Sequence, residues 1–233
     1  MLSVVIPAYN EAERIHRSLT IVCEWAKARP QEVEVIVVDD GSTDSTVDVV
    51  GAFLPHVRLI RNGTNRGKGY SVAHGVRESR GESVLFSDAD LSTPITEYEL
   101  LAKALVNADI AIGSRGMKQS NIERRQPFYR QSMGRTFNRI VQLLTLRGIQ
   151  DTQCGFKLFR GDIARQLFSE ITISGFAFDV EVLYLAQQKG FRVVEVPVTW
   201  VNDERTHVHA IYDSYRMLRD VIRIRRLHGP RKP

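Results

Sequence analysis

The sequence predicts an α/β fold in which one mainly parallel β-sheet is flanked by helices within a single domain. The first observation is alternation, because short β-branched runs take turns with segments of helical periodicity along residues 1–114. The second is composition, since 43% apolar and 25% charged residues in a chain of 233 are typical of a globular protein with a sizeable core. The third is that no Pro-, Gly- or Ser-rich linker separates the two halves of the chain.

Five strands and the helices between them account for the first half. The strand candidates are Leu2–Pro7, Val33–Val38, Val57–Ile60, Val84–Phe86 and Ile110–Ile112. Helices are predicted over 11–28, 45–53 and 94–107, and a further helix opens after residues 65–69. Consecutive βα units form parallel sheets with right-handed crossovers, so a ligand is expected at the carboxyl ends of the strands.

From residue 115 the alternation is less regular. The sequence predicts a basic loop, a helix near 130–146, a strand near 156–159, helices near 161–169 and 179–188, and a strand near 192–198. We therefore expect one domain over 1–210. Its first half, 1–114, is of the nucleotide-binding type, and its second half, 115–210, is expected to supply the side of the site where an acceptor substrate binds. A basic helix and tail are expected at 211–233.

The charge of the chain is unevenly distributed. The net charge of +5 comes from two segments, because residues 115–139 and residues 216–233 each hold 7 basic groups and 1 acidic group. A nucleic-acid binder more often spreads its charge over a whole face, so no nucleic-acid partner is expected. The uncharged runs are far shorter than the roughly 20 residues of a spanning helix, and no signal peptide is expected. The two cysteines favour a reducing, cytoplasmic setting.

Acidic residues follow two of the predicted strands. Asp39 and Asp40 end one apolar run, and Asp88 and Asp90 end another. The carboxyl ends of parallel strands lie at one edge of the sheet, so both pairs are expected there. In Asp88–Asp90 the spacing allows both carboxylates to face one Mg²⁺ or Mn²⁺ together with a diphosphate. The alternative is a solvated turn that caps the following helix.

A glycine-containing turn follows the third strand. Asn65–Gly69 contains Lys68 and opens a helix, and its glycines permit a close approach of backbone. The positive end of a helix favours anions, and the Lys68 ammonium could reach a phosphate. The alternative is an ordinary βα turn that is capped by Asn65.

Taken together, these motifs resemble those of the family 2 inverting glycosyltransferases, which have the Rossmann-like GT-A fold. The resemblance rests on Val5–Glu11, Val38–Asp44, Asn65–Gly69 and Asp88–Leu91. Three later stretches, Gly113–Arg115, Asp151–Lys157 and Phe178–Glu181, look like the branch of dolichyl-phosphate β-glucosyltransferases and dolichol-phosphate mannose synthases. The resemblance spans roughly residues 1–200.

The resemblance implies a site for a nucleotide sugar. The implied binding residues are Pro7, Ala8, Tyr9, Glu11, Asp39, Asp40, Lys68, Asp88, Ala89, Asp90 and Gln153. Among these, Asp88 and Asp90 would also bind the metal. In the mannose synthases the second acid is followed by Leu-Gln, whereas here Asp90 is followed by Leu91-Ser92, so one expected metal-side ligand is absent.

The resemblance also implies an acceptor side, with catalytic roles for Asp90, Asp151, Arg115 and Arg130. The two arginines would grip an acceptor phosphate, for which bidentate guanidinium pairing is suited. An alcohol acceptor needs a carboxylate as general base, and Asp151 or Asp179 could serve. A phosphate monoester, with a second pKa near 6, needs none. Asp151 would then position the sugar or a loop, and Asp179 would cap a helix.

The C-terminal segment Ile211–Leu227 has an amphipathic basic pattern. Its apolar stripe is Ile211, Tyr215, Leu218 and Ile222, and its basic stripe is Arg216, Arg219, Arg223 and Arg226. Such a helix either lies on an anionic membrane surface or packs on the domain with a solvated face.

The resulting expectation is an inverting transfer of a hexose from a nucleotide diphosphate sugar to a polyprenyl phosphate, at the cytoplasmic face of a membrane. Glucose from UDP-glucose is favoured. The alternatives are a GDP-mannose donor, a soluble hydroxyl acceptor, and a non-catalytic protein that either senses a nucleotide sugar or recruits a partner to membranes. A membrane-protein partner is a separate expectation. The one-residue spacing of the acid pair suits chelation better than the opposed carboxylates of a hydrolase.

Overall fold

The computed structural model describes residues 1–124, 141–142, 144–146, 148–201 and 210–229. Its strands are β1 (Leu2–Ala8), β2 (Val33–Asp39), β3 (Arg58–Arg61), β4 (Ser83–Ser87), β5 (Ile110–Ser114), β6 (Asn121–Arg124), β7 (Phe156–Arg160), β8 (Val193–Pro197) and β9 (Thr199–Val201). Its helices are α1 (Ala12–Lys27), α2 (Thr46–Gly51), α3 (Lys68–Glu78), α4 (Tyr98–Leu105), α5 (Gly161–Glu170), α6 (Phe178–Gln188) and α7 (Ala210–Leu227), and a 3₁₀ turn, Ile95–Glu97, precedes α4.

Seven strands form one sheet in the order β3-β2-β1-β4-β7-β5-β8. β1 pairs in parallel with β2 and β4, β2 with β3, and β5 with β8. The expected mainly parallel sheet in one domain is therefore confirmed. The exception is β7, which is antiparallel to both of its neighbours, β4 and β5.

Apolar side chains cover both faces of the sheet. One face packs against α3, α5 and α6, and its core includes Phe86, Phe159 and Phe178. The other packs against α1, α2 and α4 around Ile6 and Val37. Strands that are buried on both faces need continuous apolar runs, which explains why the centres of β1 and β2, Val4–Ile6 and Val35–Val38, are β-branched throughout.

The antiparallel strand β7 joins the two halves of the chain. It comes from the second half in sequence, yet it lies between β4 and β5 of the first half. Ser87 is paired with Phe156, and the Asp88 amide donates to the Gly155 carbonyl at 3.0 Å. The residues just before β7 therefore lie beside the acidic turn that follows β4.

The predicted elements are found within a few residues of their expected bounds. The exceptions are the helix near 130–146, most of which lies outside the described residues, and the short strands β6 and β9, which were not expected. These two strands pair in parallel as a separate ribbon. Runs of three or four residues are too short to show the alternation by which a strand is recognised.

The C-terminal helix α7 forms as expected, and two residues outside its predicted apolar stripe pack on the domain. Val221 and Ile224 are fully buried, whereas the side chains of Tyr215 and Ile222 are exposed. Among the residues described, none of the helices has the length and apolar character that a membrane crossing requires.

Candidate active site

The turns after β2, β4 and β5 lie at one edge of the sheet. All three strands run in the same direction, because β2 and β4 are parallel to β1 and the antiparallel β7 separates β4 from β5. Asp39, Asp88 and Arg115 stand at or just beyond these strand ends. The edge predicted from the sequence order is thus where the charged groups collect.

Asp40 holds the turn that leads into α3. Its carboxylate accepts hydrogen bonds from Asn62 Nδ2 at 2.8 Å, from the Arg66 amide at 3.0 Å and from the Gly67 amide at 2.8 Å. The neighbouring Asp39 carboxylate accepts from the Ser42 amide at 3.1 Å. Both side chains are buried. They fix two loops of the site, and their contact with a nucleoside stays a prediction.

The residues after β1 border these loops. Tyr9 has a half-exposed side chain, whereas the side chain of Ala8 is in the apolar core, as is that of Ala89. Any contact that Ala8 or Ala89 makes with a ligand is therefore through the main chain. Glu11 forms an ion pair with Arg14 and donates its amide to Thr46 Oγ1 at 2.8 Å. Pro7 is partly buried, and its contact with a ligand stays a prediction.

Lys68 lies against the acid pair that follows β4. Its Nζ is 2.7 Å from Asp88 Oδ1, and a quarter of its side chain is exposed. Burial alone would lower the pKa of Lys68, but the carboxylates of Asp88, Asp179 and Asp90 outweigh it and raise that pKa. The ammonium is therefore charged and close to the exposed edge, where it can meet an anion.

The amino end of α3 is not the open anion site that the sequence suggested. The Ser174 carbonyl accepts from the Gly69 amide at 2.8 Å and from the Tyr70 amide at 3.3 Å. A β-carbon on Gly67, whose φ is +98°, would overlap the Ser174 carbonyl. The glycines beside Lys68 therefore make room for the backbone of Ser174. The Ser174 carbonyl accepts hydrogen bonds from amides that would otherwise be available to a phosphate.

Asp88 and Asp90 repel one another across the acidic turn. Burial, and then the charge of Asp88, raise the pKa of Asp90. Asp90 Oδ1 accepts from the Ser92 amide at 2.9 Å. Gly155 packs directly on Asp88, since a β-carbon there would overlap its carboxylate. Two adjacent carboxylates under mutual repulsion favour a bound cation, although one side of Asp88 already faces Lys68.

Within the part of the chain that the structure describes, no group of three or more His, Cys, Asp or Glu side chains could hold a metal ion. Mg²⁺ commonly uses only one or two carboxylates and takes its other ligands from substrate phosphates and water. The Asp88 and Asp90 pair fits a site of that kind, which a diphosphate completes.

Just beyond β5, Arg115 forms a bidentate ion pair with Asp151. Arg115 Nε lies 2.7 Å from Asp151 Oδ2, Nη2 donates to Oδ1 at 2.9 Å, and the Arg115 amide donates to Oδ2 at 2.9 Å. Burial would raise the pKa of Asp151, but the charge and hydrogen bonds of Arg115 bring it to about 2. Arg115 also lies over the ring of Trp200, 5.3 Å from its centroid. Asp151 therefore orients Arg115, and an anionic carboxylate with that pKa is a very weak base.

Gln153, named for the donor site, lies beside the C-terminal helix. Its Nε2 is 3.9 Å from Met217 Sδ in α7, and its amide donates to Asp151 Oδ1 at 3.2 Å. Arg130, named with Arg115 for an acceptor phosphate, lies outside the described residues.

The structure also reveals a buried ion pair that involves Lys157, which the sequence analysis had not singled out. Lys157 Nζ lies 2.5 Å from Asp179 Oδ1 and donates to the Cys154 carbonyl at 2.6 Å. Its side chain is fully buried. Burial raises the pKa of Asp179, and Lys157 and then Lys68 offset part of that rise. The available signal was a single charged residue inside the apolar run Phe156–Phe159.

Glu195 is a second residue that sequence reasoning missed. Its carboxylate accepts from the Gln150 amide at 2.7 Å and the Asp151 amide at 2.9 Å. β8 thereby holds the backbone that carries Asp151. An acid at the centre of a half-buried edge strand gives no sign in the sequence that it binds a loop.

Comparisons with known proteins agree with this geometry. The family model described as glycosyl transferase family 2 matches residues 3–168. The chain is similar to dolichyl-phosphate β-glucosyltransferases: it is 35% identical to that of Dictyostelium discoideum over 96% of this chain and 73% of the relative. It is 37% identical to that of Drosophila melanogaster over 96% and 74%, and 35% identical to that of Homo sapiens over 98% and 76%.

Solved structures share the fold. Mannosyl-3-phosphoglycerate synthase from Rubrobacter xylanophilus superimposes with a TM-score of 0.76 at 20% identity, over 98% of this chain and 75% of that one. Glucosyl-3-phosphoglycerate synthase from Mycobacterium tuberculosis, in complex with Mn²⁺, UDP-glucose and phosphoglyceric acid, gives 0.73 at 18% identity, over 96% and 78%. A mannosyltransferase from Pyrobaculum calidifontis in complex with GDP-Man and Mn²⁺ gives 0.65 at 20%, over 100% and 65%.

Proposed function

Because this chain belongs to glycosyl transferase family 2, we propose that it transfers glucose from UDP-glucose to the phosphate of a polyprenyl or dolichyl phosphate, with inversion at the sugar carbon. Family membership makes it a glycosyltransferase. The sugar and the acceptor are supported by the relatives at 35% and 37% identity, all of which are dolichyl-phosphate β-glucosyltransferases.

One observation carries the choice of a phosphate acceptor. Among the described residues, the two acids that the sequence offered as a base both face cations, Asp151 in its bidentate pair with Arg115 and Asp179 in its buried pair with Lys157. The pKa of Asp151, about 2, makes it a poor acceptor of a hydroxyl proton. A phosphate monoester is already ionised near neutral pH and needs no base.

On the donor side, Lys68 and the two acids would hold the diphosphate. The Lys68 ammonium neutralises one carboxylate of the acidic turn and would bind a phosphate oxygen. Asp88 and Asp90 are the residues that would hold a divalent cation, which, when bound, would offset the negative charge of the departing diphosphate. Fold neighbours whose structures contain Mn²⁺ and a nucleotide sugar support a divalent cation beside the donor, and its placement on Asp88 and Asp90 is part of the proposal.

On the acceptor side, Arg115 would bind the attacking phosphate. Asp151 and Trp200 fix its guanidinium from two sides, and nearly a third of its side chain is exposed. A pre-oriented guanidinium presents its donors to a phosphate without the entropy cost of ordering a free side chain. The phosphate would attack the sugar carbon opposite the diphosphate, and that single displacement gives inversion.

We further propose that the enzyme works at the cytoplasmic face of a membrane and touches that surface through α7. Val221 and Ile224 pack this helix on the domain, and Tyr215 and Ile222 are left exposed. The exposed arginines of α7 are Arg216, Arg219, Arg223, Arg225 and Arg226. Each basic side chain near an anionic bilayer contributes about 1 kcal/mol of binding. The free, buried thiols of Cys23 and Cys154 suit a reducing compartment. A membrane-protein partner would attach the enzyme to the membrane at a second point.

Sedimentation with vesicles tests the membrane contact. The double change Arg219→Glu and Arg223→Glu should abolish binding to phosphatidylglycerol vesicles, and phosphatidylcholine vesicles should bind little protein. Arg17→Glu with Arg80→Glu, at exposed positions elsewhere, changes the net charge equally and serves as the control. Equal loss in both double variants would mean that net charge alone, and not α7, carries the binding.

Transfer of labelled sugar tests the reaction. A panel of UDP- and GDP-sugars is supplied with a short polyprenyl phosphate and Mg²⁺ or Mn²⁺, and label is expected in the organic-extractable fraction from UDP-glucose. Asp90→Asn should abolish this transfer, whereas Asp48→Asn, at an exposed site on α2, should not. Label that stays in a water-soluble product would overturn the phosphate acceptor, and label from GDP-mannose alone would overturn the donor.

A further inference from the structure

Glu181 is a fully buried carboxylate in α6 that the proposed reaction does not use. Its Oε2 accepts from the Thr172 amide at 2.9 Å and from the Ile173 amide at 2.7 Å. Its Oε1 accepts from Thr172 Oγ1 at 2.9 Å and lies 2.7 Å from His228 Nε2. Burying a charge is costly unless hydrogen bonds satisfy it, so these four partners are what keeps the carboxylate in the core.

The segment that Glu181 holds supports the turn around Lys68. Immediately after Ile173, the Ser174 carbonyl accepts the Gly69 amide at 2.8 Å. A β-carbon on Gly69 would meet the Ile173 carbonyl at 2.5 Å, so the two backbones are in direct contact. The placement of Lys68 therefore depends on the placement of residues 172–174.

The other partner of Glu181, His228, lies at the end of the C-terminal helix. The same end is also held by Tyr184 of α6, whose hydroxyl donates to the Gly229 carbonyl at 2.7 Å. Glu181 and Tyr184 are three residues apart and face α7 together. Only the Glu181 carboxylate, of these two, also binds the segment at Thr172.

We propose that Glu181 is a positioning residue for Lys68, and that it couples the end of α7 to the diphosphate side of the donor site. The inference rests on the proposed function in one respect, namely that Lys68 faces the diphosphate. It adds a regulation of that site, because whatever binds or displaces α7 acts on His228 and, through Glu181, on the turn that carries Lys68.

Two variants on the same helix separate positioning from general stability. Glu181→Gln keeps the size of the side chain but replaces a charged acceptor by a neutral amide, and Tyr184→Phe removes a bond to α7 without touching residues 172–174. Hydrogen exchange at the amides of Gly69 and Tyr70 should be faster by about tenfold in Glu181→Gln and unchanged in Tyr184→Phe. This readout needs no substrate, so it decides the inference even if the proposed reaction is wrong.

Kinetic measurements should distinguish Glu181→Gln from Tyr184→Phe in the same way. Glu181→Gln should raise the KM for the donor and the Kd for UDP by about tenfold with a smaller change in kcat, because Lys68 is misplaced in the bound state. His228→Ala, which removes one partner and leaves the amide bonds, should raise both by a smaller factor. Equal exchange rates and equal UDP affinity in Glu181→Gln and Tyr184→Phe would overturn the inference, as would wild-type values for both in His228→Ala.

Discussion

The proposed donor side and the proposed acceptor side of the site hold their acids in different ways. On the donor side, Asp39 and Asp40 accept backbone amides of their own or a neighbouring βα turn. On the acceptor side, Asp151 and Asp179 face the cations Arg115 and Lys157. The first arrangement ties loops together, and the second fixes the direction of a cation.

The difference bears on whether Asp151 and Asp179 could serve an alcohol acceptor. An acid that serves as base must offer a lone pair to the substrate. Asp151 and Asp179 instead stabilise Arg115 and Lys157, of which Arg115 is partly exposed and Lys157 is fully buried. Aspartates therefore hold loops in place on the donor side and orient cations on the acceptor side.

Removal of the buried Lys157 ammonium is expected to have the largest effect, and it acts on the acceptor side. Lys157→Met leaves Asp179 buried without its partner and should lower the free energy of unfolding by about 3–5 kcal/mol. Denaturant titration measures it. The double change Lys157→Met with Asp179→Leu removes both charges and should recover most of the loss. A double variant no more stable than Lys157→Met would show that packing around Lys157, and not the charge on Asp179, is what matters.

A larger side chain at residue 155, which would press on the Asp88 carboxylate, is expected to have the next largest effect. A methyl group on residue 155 would overlap the Asp88 carboxylate and push it from Lys68, so Gly155→Ala should reduce kcat/KM by about 100-fold. Gly51→Ala, at a site with nothing within 4 Å, is the matched control. Near-normal transfer by Gly155→Ala would mean that Asp88 can move without loss of the donor site.

The pH dependence of stability should sharpen the contrast between amide-bound and cation-bound acids. The pKa of Asp151 is about 2 in the folded protein and about 3.9 in an unfolded chain. Because the folded value is the lower one, this stability is present above pH 4 and is lost as the pH falls from about 4 to about 2. It amounts to about 2–3 kcal/mol.

Asp151→Asn should remove this contribution. At pH 7 the variant should be less stable than the wild type by about 2–3 kcal/mol, and the difference should shrink below pH 4. Urea unfolding at a series of pH values gives both curves. A constant difference down to pH 2 would contradict the assignment of the low pKa to the ion pair with Arg115.

The smallest expected effect concerns the ring over Arg115. Trp200→Leu removes a cation–π contact and should raise the KM for the acceptor by about two- to fivefold, with the KM for the donor unchanged. Trp25→Leu, which removes the ring that Arg29 lies over at 4.5 Å from its centroid, tests the same chemistry at a cation–π pair outside the proposed site. A change in donor KM would place Trp200 on the other side of the site.

Much of the fold could be predicted because the local spacing of apolar residues indicates which residues are buried. The runs Val4–Ile6 and Val35–Val38 are apolar at every position, as strands buried on both faces require. The order of strands and helices then places Asp40 and Asp88 at one edge, since successive parallel strands end together. The same reasoning could not tell which stripe of α7 packs, because Tyr215 and Val221 are both apolar.

What the sequence determined by itself is therefore the class of fold, the edge that carries the site, and the residue types gathered there. The tertiary structure alone decided the partners: Arg115 meets Asp151 across 36 residues and Lys157 meets Asp179 across 22. The physical reason is the insertion of antiparallel β7 between β4 and β5, which brings distant segments together. Burial leaves a periodic trace in the sequence, but the pairing of a given acid with a given base depends on which strands become neighbours.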